Sequence, residues 1–162
     1  MPDDNRFTDN DDGTLTDTKY NLMWLKQDSY QAEGKWRSWK KAKKYVEKLN
    51  EKKFAGFTDW RLPSSKDARN LYDHDSKNTD HLGDIVHIDL KFPEGCGFTY
   101  WCDEEKGINA MAYNFYSDRA YLIRKKTSDE SCMSCRAVRR SGKAPKISNR
   151  TSATGRSRAK SE

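Results

Sequence analysis

Long apolar runs are missing from this sequence. Hydrophobic residues fill 34% of its 162 positions, and the mean hydropathy is −1.13. No stretch approaches the roughly 20 apolar residues that a membrane-spanning helix needs. The opening Met1-Pro2-Asp3-Asp4-Asn5 is acidic and polar where a secretory leader is basic and then apolar. The expectation is a cytoplasmic protein if the chain is complete, or a piece of something longer. Aromatics are missing from the last forty residues, all 19 falling between Phe7 and Tyr121. That stretch can build neither a core nor a stacking platform for bases. There is no Gly-rich phosphate loop, no serine nucleophile elbow, and no carboxylate pair that stands out from surface acids. A non-enzyme is therefore expected. His74, His81 and His87 all lie in a polar, turn-rich stretch over 73–97 without ligand spacing, and read as surface imidazoles.

What is present is unevenly placed. Lys and Arg number 31 against 25 Asp and Glu, for a net charge of +6. Eight of those cations, against one acid, fall between Arg139 and Glu162, so the preceding body is close to neutral. The pI near 9.1 thus describes the tail rather than the body. The length suits one domain over 1–140, followed by a disordered basic tail over 141–162 rich in Ser, Lys, Arg, Gly and Thr. Such a tail contacts polyanions non-specifically and in a salt-sensitive way, if it contacts them at all.

The body is organised around Gly56-Phe57-Thr58-Asp59-Trp60-Arg61-Leu62-Pro63, a segment between two helices. Before it, Ser38 caps a helix to about Lys52, with Trp39, Ala42, Val46 and Leu49 at 3-4-3 spacing. The intervening Lys40, Lys41, Lys43, Lys44 and Lys48 form either a polyanion-binding face or only its solvated side. After it, Ser64-Ser65-Lys66-Asp67 matches a capping box and opens a helix through about Tyr72, with Ala68 and Leu71 inward. Within the segment Trp60 and Leu62 face the core, while Asp59 and Arg61 hydrogen-bond the backbone or pair with each other.

Strands flank this helical centre. Residues 6–8 and 14–16 enclose Asp9-Asn10-Asp11-Asp12-Gly13 as a hairpin. Its acids lack the register of an EF-hand loop and read as turn residues. Residues 21–25 form a short buried strand. Residues 98–103, 109–116, 120–126 and 135–140 read as one antiparallel sheet. Met111, Tyr113 and Phe115 share one face of it, and Ala110, Ala112, Asn114 and Tyr116 the other.

Taken in order, Arg6-Phe7-Thr8-Asp9, Asp12-Gly13-Thr14-Leu15-Thr16-Asp17, Leu22-Met23-Trp24, Trp39 with Ala42, Gly56 to Pro63, Tyr100-Trp101 and Arg136-Ala137-Val138-Arg139 form a pattern. It resembles the Lcl C-terminal domain family, a domain of unknown function named after part of a bacterial collagen-like adhesin. The resemblance implies an α+β, C-type-lectin-like fold, with two helices packed on a twisted antiparallel sheet. It also implies a bacterial surface or secreted module, extracellular or periplasmic. The adhesin's domain binds sulfated glycosaminoglycans as a trimer, so the family implies adhesion, a polyanionic glycan or cell-surface protein ligand, and a homo-oligomer. Many members carry a cystine at the positions of Val46 and Ala137 here, and Tyr-Trp-Ser-Ser where this chain has Tyr100-Trp101-Cys102-Asp103.

This chain has a different cysteine set: Cys96, Cys102, Cys132 and Cys135. Cys102 on one strand and Cys135 opening another are expected to meet at one end of the sheet. Two disulfides, a structural zinc on four thiolates, and four free thiols all fit the spacing. The family places its ligand on the late sheet, whose outer face is expected to carry Tyr100, Asn109, Asn114, Tyr116, Arg119 and Tyr121, with Arg124 and Lys125 beyond. Tyrosines there offer contact area, and arginines pair with sulfate or carboxylate. Equally, these residues could simply finish a half-exposed sheet. The Glu-Pro-Asn and Trp-Asn-Asp motifs of calcium-dependent lectins do not occur, so any glycan is held by charge and stacking. Two other functions share the lectin fold. One is a retroelement-type variable protein that binds protein targets. The other is a cysteine-dependent oxidase resembling formylglycine-generating enzymes, for which Cys132 and Cys135 are a superficial match.

Overall fold

The computed structural model describes residues 5–142, so the expected tail lies outside the described residues apart from its first two positions. The fold is mixed α+β, with short helices and curled, mainly antiparallel sheets. Strands β1 (Phe7–Asp9) and β2 (Thr14–Asp17) form the expected hairpin. Asp11 and Gly13 take positive φ in its turn, and the Asp12 carboxylate accepts from the Thr14 amide and hydroxyl. β3 (Leu22–Leu25) pairs with β2. A short helix not expected from the sequence, α1 (Ser29–Glu33), follows behind a capping box between Asp28 and Gln31.

The longest helix, α2 (Trp39–Glu51), buries Trp39, Ala42, Val46 and Leu49, as their spacing requires. α3 (Ser65–Leu71) opens on the expected capping box and buries Ala68 and Leu71. Between them the Gly56 to Pro63 segment binds four elements together. Asn50 of α2 clamps Trp60, donating to its carbonyl at 2.9 Å and accepting from its amide at 2.7 Å. Asp59 and Arg61 both form ion pairs, but not with each other. Asp59 holds Arg139 at 2.6 Å, and Arg61 reaches Asp67 on α3 at 2.8 Å. Asp59 is drawn to a partner 80 positions away, whereas Arg61 pairs six positions on and also makes the expected kind of backbone bond, donating to the Leu62 carbonyl at 3.2 Å.

The stretch over 73–97 is more structured than its polarity indicates. It carries a two-stranded ribbon, β4 (Asn78–Thr79) with β5 (Ile85–Val86), and buries Val86, Ile88 and Phe92. The late sheet has β6 (Thr99–Lys106) at its centre, flanked by β7 (Asn109–Asn114) and then β8 (Arg119–Arg124). Residues 135–140 do not join it. The two-residue β9 (Met133–Ser134) takes the place beside β6, in parallel, and the chain then crosses to the first sheet. There β10 (Val138–Arg140) pairs with β3, giving the order β1-β2-β3-β10.

The late sheet is buried on both sides of its centre. Tyr113 and Phe115 enter one apolar cluster with Leu15, Trp24, Leu71, Ile88 and Phe92. Ala110 and Ala112 enter a second, with Trp39, Val46, Trp60 and Leu62. β6 alternates in the same way: Tyr100 and Cys102 go to the first cluster and Trp101 to the second. Val46 and Ala137, at the positions where the resemblance implies a cystine in relatives, are both buried in the second cluster.

Candidate functional site

The residues expected to form one ligand surface are distributed over several places. Tyr100 is 1% exposed and belongs to the core, which overturns its assignment to an outer face. In the β7–β8 register Asn114 lies opposite Arg119, Ala112 opposite Tyr121, and Asn109 opposite Arg124. Opposed residues share a face and successive ones alternate. Asn114, Arg119 and Tyr121 therefore point to one side of the sheet, and Asn109 and Arg124 to the other. Tyr116 is half-buried, stacks on Phe98 at 4.4 Å, and donates its hydroxyl to Asp80. Lys125 lies over the Trp39 ring at 4.6 Å and pairs with Glu105 at 2.5 Å. Arg119, Tyr121 and Arg124 remain exposed.

Tyr100 has a structural task instead. Its hydroxyl donates to the Asp28 carboxylate at 2.9 Å and accepts from Arg136 Nη2 at 2.8 Å. Asp28 also accepts from the amides of Gly97 and Gln31, both at 2.8 Å. The second guanidinium nitrogen of Arg136 donates to the carbonyls of Leu25 and Lys26. All three side chains are buried. One acid and one cation, joined through a phenol and bonded to backbone, tie α1, β6 and the final crossover together.

The four cysteines do not converge. Cys96 and Cys102 lie in the first apolar cluster, Cys135 in the second, and Cys132 is half-buried near Asp80 and Tyr116. All four are free thiols, and no group of three or more metal-binding side chains occurs among the described residues. The donor set does not fit a four-thiolate zinc site, and the expected meeting at one end of the sheet is corrected accordingly. Sequence spacing placed Cys135 at the head of a late-sheet strand that the fold puts elsewhere. Burial pushes the Cys96 thiol up to about 11 and that of Cys135 to about 12. It also raises Cys102 and Cys132. At neutral pH all four are therefore protonated and weakly nucleophilic.

Two surface features stand out. The first is a strip of half-buried rings that the polar reading of 73–97 hid. Trp36 stacks on Tyr30 at 3.8 Å, His81 abuts Trp36 at 4.7 Å, and Phe98 carries the row on to Tyr116. These rings are spent largely on one another. Only the aromatic count of the flanking segments hints at them.

The second is the outer face of α2. Lys40, Lys41, Lys43, Lys44 and Lys48 are all exposed; Glu47 and Glu51 share the helix, and Asp103 and Glu105 of β6 lie within electrostatic reach of Lys43. None of the five is in an ion pair among the described residues. The row begins where the Trp39 amide donates to the Lys125 carbonyl at 3.0 Å, which sets Lys125, itself paired with Glu105, beside its first turn. Lys43 and Lys125 both lie over the Trp39 ring. At the other end Lys52 borders a cleft of about 460 Å³ floored by Leu25, Tyr45, Leu49 and Phe54. Burial pushes the Tyr45 hydroxyl in that cleft up to about 12.

No helix is long and apolar enough to cross a membrane among the described residues. Comparison with curated proteins returned no match. The sequence profile of the Lcl C-terminal domain matches residues 13–139, a span that runs from the hairpin turn to the middle of β10. The chain belongs to the Lcl C-terminal domain family.

Proposed function

We propose that this protein is a non-enzymatic, C-type-lectin-like ligand-binding module that holds a polyanionic glycan on the lysine face of α2. The observation that carries this reading is the row of five exposed lysines on α2 that form no ion pair among the described residues. Unpaired ammonium groups at helical spacing attract a polyanion along their length, and their effect is screened by salt. Family membership supports a binding role.

Heparin chromatography over a salt series tests the proposal on residues 1–142 beside the full chain. Both are expected to be retained at low salt, the full chain to higher salt because its tail adds six cations and one acid. If only the tail-bearing form is retained, the tail is responsible and the proposal fails.

A further inference from the structure

The two main sheets have four outer strands among the described residues: β1, β10, β9 and β8. Three are covered. The Phe7 carbonyl of β1 accepts from Lys91 Nζ at 3.0 Å. Val138 of β10 exchanges two backbone bonds of 2.9 Å with Arg61. The Met133 carbonyl of β9 accepts from the Arg37 amide at 2.8 Å. β8 differs. It runs six residues in unbroken register with β7, with no bulge or proline, and no other strand lies on its far side.

The register gives the direction of its backbone groups. Lys125 donates its amide to Ile108 at 2.9 Å, which makes the odd-numbered residues of β8 the ones bonded to β7. The amides of Ala120, Leu122 and Arg124 therefore point away from the sheet, as do the carbonyls of Ala120 and Leu122, while the Arg124 carbonyl accepts from the Thr127 amide at 3.0 Å. Along this edge Tyr121 is 36% and Leu122 43% exposed. Edges protected against pairing carry charge, a bulge or proline within the strand. Here the charges stand only at the ends, on Arg119 and Arg124, and the four central residues have none.

From this we infer that the edge of β8 is a strand-addition site for an extended, acidic segment of a partner protein. Backbone bonds to Ala120, Leu122 and Arg124 supply affinity, and carboxylates five positions apart on the partner meet Arg124 and Arg119. A second copy of this chain does not fit. Antiparallel self-pairing centred on Leu122, the register in which the outward groups of Ala120, Leu122 and Arg124 bond their counterparts, sets each Arg119 opposite a Lys125, and like charges in opposed positions are destabilising. This inference does not rest on the glycan proposal, since it concerns backbone groups on β8 and not the lysines of α2.

The test uses the full chain and a capped peptide, Thr-Glu-Val-Thr-Val-Thr-Glu-Thr, whose glutamates are five positions apart. Titration followed by NMR hydrogen exchange is expected to show saturable binding and slowed exchange at Leu122. N-methylation of alternate peptide amides should abolish binding. R119E/R124E should weaken it by about tenfold or more. Leu122→Pro, which removes an amide that β7 does not use, should also prevent binding. Absence of binding, binding that survives N-methylation, equal binding of a peptide with lysines for glutamates, or a dimer of the free protein in sedimentation would each overturn the inference.

Discussion

At the scale of single residues, Tyr100 shows how far a strand pattern reaches. A tyrosine beside a tryptophan on an antiparallel strand fits a ligand surface as well as a core. What decides it is the pair Asp28 and Arg136, which lie 72 and 36 positions away and meet on its hydroxyl. No local signal announces such a meeting. The cysteines teach the same lesson, since their spacing allowed a shared site and the fold puts two in one cluster, one in the other and Cys132 outside both. Their environments lead to a definite expectation. Alkylation of the native protein at neutral pH should label Cys132 first, and Cys96, Cys102 and Cys135 only after unfolding. Intact mass without reductant should correspond to four thiols. A loss of four protons, or early labelling of a buried cysteine, would contradict the arrangement.

At the scale of elements, periodicity was a good guide wherever an element was long enough to display it. α2 buries the four residues its 3-4-3 pattern names, and α3 opens on the capping box its Ser and Asp spell out. β4, β5 and β9 have two residues each, too short for alternation to be read. β10 was legible as a strand but not its sheet, because sheet membership depends on the crossover after β9 and not on its own residues. The segment from Gly56 to Pro63 was rightly read as a centre, while its partners were not. Asn50 is the clearest case, a half-buried helix residue whose amide group satisfies both backbone groups of Trp60. Asn50→Ala should lower the unfolding free energy by about 2 kcal/mol, since it strands a donor and an acceptor beside the core. Urea denaturation with an unchanged slope would measure that loss directly. A loss too small to measure would show that water takes over both bonds.

At the scale of the whole molecule, composition alone misleads about where the charge acts. Most of the excess of cations lies beyond Gly142, and the body is nearly balanced. The balance is local, however. Arg6, Arg61 and Arg139 are paired with Asp17, Asp67 and Asp59, whereas the lysines of α2 are left free. A near-neutral body thus keeps one basic face. The sequence left that face two readings, a polyanion-binding face or only a solvated side, and binding has to separate them. The most direct measurement compares residues 1–142 with their K40E/K44E/K48E variant on heparin. All three positions are exposed and glutamate is a good helix former, so circular dichroism should be unchanged. The variant should elute at much lower salt, with affinity reduced by about tenfold or more. Equal elution of the two proteins would contradict glycan binding by α2.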